Sequence, residues 1–217
     1  MPYSYVGAKK TQLPEPVVKY NSKSTLSTVK FSWFPVAGAD GYLVYSYTST
    51  NSKIGSKKYR GKLSGKSNTT FKDTGLKEKY TYNYEVKAYK KLNGKTYLSK
   101  VNCFSYTTKP SKPKIKAVDY CGFALKKQTR NGSYYQAMEI YDYENKAWYP
   151  IVFRSVKDKD GYRYVYPTKY AIKDPETLEV YCEKIDTSKK YKFRVRIAAG
   201  GNYSDYSNVV KYTPAKV

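Results

Sequence analysis

The stretch "GLKEKYTYNYEVKAY", residues 75 to 89, places Tyr80, Tyr82 and Tyr84 at every second position and continues them into Val86 and Ala88. A period of two marks a strand with one face buried. Two readings compete for such a ladder: an aromatic binding surface, or the inside of a sandwich. Because the series runs on into aliphatic residues, Tyr82, Tyr84 and Val86 are read as facing inward. Glu85, Lys87 and Tyr89 then face outward.

The same alternation recurs upstream. "TVKFSWFPV" sets Val29, Phe31 and Trp33 on one face. "GYLVYSY" sets Tyr42 and Val44 on one face and Leu43, Tyr45 and Tyr47 on the other. Turn signals separate these runs at Gly38 to Gly41, Asn51-Ser52, Gly65 to Asn68, Asp73 to Gly75 and Asn93-Gly94. Short strands at this spacing, without sustained helical periodicity, predict an all-β sandwich.

Composition fits that reading. The 217 residues include 28 tyrosines, 7 phenylalanines and 2 tryptophans, but only 2 methionines. Tyrosine suits a thin sandwich, since its ring fills the core and its hydroxyl reaches the rim. Lys and Arg total 41 against 17 Asp and Glu, a formal charge of +24. The excess is spread: 20 basic and 5 acidic residues precede Pro110, and 21 and 12 follow from it. Such a field draws polyanions and weakens with salt, although a lysine-coated soluble surface has the same composition. Histidine is absent, which removes His-dependent triads and His-ligated zinc. Cys103, Cys121 and Cys182 lack the CxxC spacing of zinc or redox sites. They are expected as buried thiols, with a Cys121–Cys182 bond as the alternative.

No apolar run reaches membrane-spanning length, and "MPYSYVGAKK" lacks the apolar core of a signal peptide. The chain is thus expected to be intracellular, or a segment of something longer.

An internal repeat divides the chain. "GLKEKYTYNYEVKA" aligns with "KIDTSKKYKFRVRI", setting Leu76 on Ile185, Tyr82 on Tyr191, Tyr84 on Phe193, Val86 on Val195 and Ala88 on Ile197. Farther on, "NCFSYTTKP" aligns with "NVVKYTPAK" at an offset of 106 instead of 109, so the intervening loop is three residues longer in the first copy. "TTKPSKPKIK" holds Pro110 and Pro113, which favour extended chain. The expected organisation is an extension over 1–13, a domain over 14–109, a linker over 110–113 and a second domain over 114–217.

"VKFSWFPVAGADGYLVY", "FKDTGLKEKYTYNYEVKAY" and "YLSKVNCFSYTT" together resemble a fibronectin type III domain of the kind repeated in secreted and wall-attached proteins of Gram-positive bacteria. The likeness rests on Trp33 on the second strand, the turn at 38 to 42 that opens the third with Tyr42, and a corner from Leu76 to Tyr82. It covers roughly residues 14 to 109. In the second half, Ile185, Tyr191, Phe193, Val195, Ile197 and "NYSDYSNVVKYT" fit, whereas 117 to 176 depart from the pattern and Trp33 has no clear equivalent. The resemblance implies two tandem immunoglobulin-like β-sandwiches, non-catalytic and extracellular or on the cell surface. Their implied role is as spacers or adhesion modules that present neighbouring domains of a longer chain. An accessory region of a secreted glycan-degrading enzyme is the alternative. Integrin binding is not implied, since "YKKLNGKTYLSK" and "AAGGNYSDYS" lack Arg-Gly-Asp.

No residues converge for catalysis. Asp40 and Asp73 are read as local turn formers, Asp158, Asp160 and Asp174 also fall in turns, and "DKDGY" at 158 to 162 is a hairpin turn with only a fragment of a calcium loop. No phosphate loop is present, and no cofactor is expected. The candidate ligand patch is Tyr45, Tyr47, Tyr89 and Tyr97 edged by Lys87, Lys90 and Lys91, suited to carbohydrate or an anionic wall polymer. The competing reading covers these rings with lysine stems. Nucleic acid is disfavoured, because no recognition motif accompanies the charge.

Overall fold

The structure, a computed structural model of the chain, describes residues 12–50, 53–118, 122–128, 134–157, 160–174 and 176–212. These residues form strands and loops, with no helix among them. The chain divides into two compact units, Met1–Thr108 and Lys109–Val217.

The first unit contains β1 (Lys23–Ser24), β2 (Val29–Ser32), β3 (Gly41–Tyr47), β4 (Ser49–Thr50), β5 (Lys53–Ile54), β6 (Lys58–Ser64), β7 (Thr70–Asp73), β8 (Thr81–Leu92), β9 (Lys95–Leu98) and β10 (Asn102–Thr107). One sheet runs β1-β2-β7; the facing sheet runs β10-β8-β3-β6, with β9 paired to β8 and β4-β5 a separate hairpin. Alternation explains both layers. Val29, Phe31 and Trp33 enter the core from one sheet, and Tyr42, Val44, Tyr84, Val86 and Ala88 from the other. Phe31 is the hub, its ring 4.9 Å from those of both Tyr84 and Phe104. Leu76 is buried, and Tyr82 packs half-buried at the margin. Burying each such large side chain contributes about 1.5–3 kcal/mol. Tyr42 satisfies its polar tip inside the core: its hydroxyl accepts from Val36 N at 2.9 Å and donates to Lys66 O at 2.8 Å.

The second unit contains β11 (Ile115–Val118), β12 (Gly122–Lys126), β13 (Tyr135–Asp142), β14 (Ala147–Lys157), β15 (Tyr162–Lys173), β16 (Val180–Lys184), β17 (Tyr191–Ala199), β18 (Asn202–Tyr203) and β19 (Val210–Tyr212). Hydrogen bonding runs continuously through β11-β12-β15-β14-β13-β17-β18 because β14 changes partner. Its first residues pair with β13, and Ile151 onward pairs with β15. The register slips between Val152 and Phe153, opposite Pro167. Proline has no amide to give a ladder, so it belongs at such a bulge, where a strand can pass from one layer to the other. Thr168 closes the bulge by donating to Val152 O at 3.2 Å.

Inside lie Phe123, Leu125, Ile140, Val165, Tyr191, Phe193 and Val195, with Ile185 half-buried beside them. Phe123 packs on Phe193 at 5.4 Å, as Phe31 packs on Tyr84. Leu125, two residues on, therefore takes the position that Trp33 holds in the first unit.

Three expectations need correction. Cys103 and Cys182 are exposed free thiols, since each lies on a marginal strand; Cys121 falls outside the described residues. Asp40 is not a local turn former. Its Oδ2 accepts from Lys91 N at 2.7 Å, tying the start of β3 to the distal part of β8. Asp73 does accept locally from Thr74 N at 2.9 Å, but its main partners are distant in sequence: Arg60 and Tyr84.

Candidate functional site

The outward face of the β10-β8-β3-β6 sheet carries part of the tyrosine and lysine set singled out above. Register places Tyr45 opposite Glu85 and Tyr59, and Leu43 between Lys87 and Lys62. The Tyr45 and Tyr59 rings meet edge to face at 5.7 Å, and Tyr59 is 58% exposed. Lys57 binds Glu85 at 2.6 Å, and that hydrogen bond holds the ammonium above its usual range. Partial burial, then the adjoining Cys103 and Glu85, push the Tyr47 phenol up.

The remaining members of the set fall elsewhere. Tyr89 is not an exposed ring but 4% accessible. Its β3 partner is Gly41, and a Cβ on Gly41 would lie 2.8 Å from the Tyr89 ring and 2.1 Å from Leu63 O. Tyr89 lies flat in the space that the missing side chain leaves, capped by Lys62 Nζ 5.0 Å from its centroid. Tyr97 pairs with Lys90, whereas Tyr89 pairs with Leu98. Lys90 and Tyr97 thus share the parity of Val86 and Ala88 and point away from Tyr45. Lys91 is exposed on the outward face. The outward group is accordingly Tyr45, Tyr47, Tyr59, Lys57, Lys62 and Lys87. The β6 members Tyr59 and Lys62 were missed because a bulge at Val44/Tyr45 sets their register.

The second unit carries a denser arrangement on the outward side of β17. Lys192 lies 4.9 Å above Tyr141 and 4.8 Å above Tyr143. Arg194 is held between Trp148 at 4.0 Å and Tyr206 at 3.8 Å. Arg196 follows at 4.3 Å from Tyr203. Glu139 locks the middle: its Oε2 is 2.6 Å from Arg194, and its Oε1 accepts from the Tyr206 hydroxyl at 2.9 Å. Burial, then the Glu139 carboxylate, push that phenol up.

Two serines build the register. Ile197 N donates to Ser204 Oγ at 2.9 Å and Val195 N to Ser207 Oγ at 3.0 Å, where strand carbonyls would otherwise accept. Each hydroxyl donates a hydrogen bond to the carbonyl of the residue after it, Asp205 O and Asn208 O. This frees Tyr203 and Tyr206, three residues apart, to reach one face. Ser99 does the same once in the first unit, accepting from Ala88 N at 3.0 Å. The legible signal was Lys192, Arg194 and Arg196 at alternate positions beside "YSDYS".

The nearest approach to paired acids is at Tyr170, whose hydroxyl lies 3.0 Å from Asp142 Oδ2 and 2.6 Å from Glu183 Oε2. Burial opposes ionisation of Asp142. The Glu144 amide, the Tyr170 hydroxyl and the Asn145 amide outweigh it and hold the carboxyl below its usual range. Such a group is a structural acceptor. Among the described residues no cluster of three or more His, Cys, Asp or Glu side chains could hold a metal ion.

The fold is that of two tandem immunoglobulin-like β-sandwiches, similar to paired fibronectin type III domains. The two-domain fibronectin type III segment of chicken tenascin superposes with a TM-score of 0.50 at 15% identity, covering 93% of this chain and 98% of that one. The FN1–FN3 domains of chicken CNTN1 match with a TM-score of 0.36 at 12% identity, over 92% of this chain and 65% of that one. No family model and no curated protein matches the sequence.

Proposed function

We propose that the chain is a non-catalytic module that holds or presents neighbouring domains of a secreted or surface-attached protein of a Gram-positive bacterium. The observation behind this reading is the outward face of β17, where Arg194 is stacked between Trp148 and Tyr206 and bonded to Glu139. A cation tied down in this way stiffens the sheet and offers a ligand little chemistry of its own. The experiment is an array of glycans and anionic wall polymers probed with the full chain at low and at physiological salt. A spacer shows only weak retention that salt abolishes, since surface attraction is screened within a Debye length of about 8 Å. Saturable binding that survives physiological salt overturns the spacer reading.

A second reading, recognition of carbohydrate or an anionic wall polymer, is favoured by the half-buried Tyr45 and exposed Tyr59 packed together among Lys57, Lys62 and Lys87. Its signature is salt-resistant binding that disappears in Tyr45→Ala and Tyr59→Ala. Binding unaffected by both substitutions excludes this face.

A further inference from the structure

Edge strands expose unpaired backbone groups, and proteins blunt them with lysine or proline. In the second unit β11 is treated in this way: Lys112, Lys114 and Lys116 alternate outward around buried Pro113 and Ile115. The margin at β16 is different. Among the described residues its only strand partner is β15, and all five of its side chains are exposed. Leu178, Val180 and Tyr181 are 62%, 65% and 49% accessible.

The phase of the ladder shows which groups are free. Asp174 N donates to Glu179 O at 2.9 Å, and Ile185 N to Thr168 O at 3.1 Å. Antiparallel pairs alternate between bonded and non-bonded, so Glu179, Tyr181, Glu183 and Ile185 bond toward β15. Val180, Cys182 and Lys184 therefore aim their amides and carbonyls at the open edge.

We propose that β16 is a self-pairing edge, to which β16 of a second copy of this chain adds antiparallel about a two-fold axis at Cys182. The occupant follows from the strand's own complementarity. Centring on Cys182 sets Tyr181 opposite Glu183, Val180 opposite Lys184 and Glu179 opposite Ile185, with no like charges facing. Centring on Tyr181 opposes Glu179 to Glu183, and centring on Glu183 opposes Glu183 to itself. Like charges directly opposite are destabilising, and centring on Val180 or Lys184 would pair only one end of the strand Val180–Lys184, which leaves the Cys182 register.

That register has a covalent reporter. Cys182 is an exposed free thiol. Opposed residues in a bonded pair have Cα atoms about 5.5 Å apart, inside the disulfide range of about 4.4–6.8 Å. With glutathione disulfide as oxidant, one Cys182 thiolate displaces glutathione to form a mixed disulfide. The second Cys182 then displaces the other glutathione. Two protein thiols lose two protons and two electrons, and one glutathione disulfide becomes two glutathiones.

The test is sedimentation of the full chain under reducing conditions, with circular dichroism to confirm that each variant folds. The wild type should dimerise reversibly with concentration. Val180→Lys opposes lysine to Lys184 and should weaken the dimer, and Val180→Glu should strengthen it, each about 2- to 10-fold for two symmetry-related pairs. In a Cys103→Ser/Cys121→Ser background, glutathione disulfide should yield a dimer whose digest contains a Cys182–Cys182 peptide. A wild type that stays monomeric up to about 1 mM, folded Val180 variants that shift the same way, or no Cys182–Cys182 peptide overturns the proposal.

Discussion

The Tyr84 hydroxyl donates to Asp73 Oδ2 at 2.9 Å inside the first sandwich, and Arg60 Nε donates to Oδ1 of the same carboxylate at 2.9 Å. Asp73 is 3% accessible, so strand β8, the end of β7 and strand β6 converge on one buried charge. Removing it leaves Arg60 and Tyr84 without their acceptor. Asp73→Ala should therefore cost about 2–3 kcal/mol, below the range for a fully buried pair because Arg60 is partly solvated. Urea unfolding checks this, with Asp73→Asn expected to recover part of the loss.

The buried phenols make the fold sensitive to alkali. Burial, then the neighbouring carboxylate, raise the Tyr84 phenol; burial, then Glu183 and Asp142, raise Tyr170. A phenol whose folded pKa lies above the unfolded value contributes stability below about pH 10, and that contribution falls as pH rises further. Urea midpoints should hold steady toward pH 9 and drop above about pH 10. Tyr84→Phe should shed part of the pH dependence, and an identical slope would refute the assignment.

Tyr82 and Tyr191 close the corners that lead into β8 and β17. The Tyr82 hydroxyl accepts from Lys77 N at 2.9 Å, and that of Tyr191 from Asp186 N at 3.3 Å. Tyr82→Phe should cost about 1 kcal/mol, one net hydrogen bond. Tyr191→Phe should cost less, because its bond is longer. The comparison needs only the two urea midpoints.

Arg194 should not tolerate a conservative change. Its planar guanidinium fits between Trp148 and Tyr206 while bonding Glu139. Lysine keeps the charge but cannot stack, so Arg194→Lys should retain most of the defect of Arg194→Ala, about 1–2 kcal/mol. Thermal unfolding of both variants decides it, and near-wild-type stability for the lysine variant would argue against stacking.

Residues 75 to 89 were legible because strand parity is local. A side chain's face depends only on counting, and the repeat doubled the information by setting Tyr82 and Tyr84 against Tyr191 and Phe193. The outward patch was less legible. Parity predicts that Tyr89 faces out, and it does, but exposure also depends on what stands opposite. Gly41 supplies a bare strand on which the ring lies flat. Parity also fails across hairpins: Tyr97 belongs to Lys90's face because of the β8–β9 register. The Arg194 stack was missed for a similar reason, since Trp148, Glu139 and Tyr206 come from separate segments.

By itself, then, the sequence determined the main strands and inward residues of the first unit, the closing strands of the second and the duplication of the unit, because alternation and turn chemistry act over a few residues. Tertiary structure alone decided which outward side chains meet. It placed the bulge that brings Tyr59 to Tyr45, the partner change of β14 at Ile151, and the serine bonds that turn Tyr203 and Tyr206 onto the arginines. Each depends on the register between paired segments, and a one-residue slip there would move every one of these side chains to the other face.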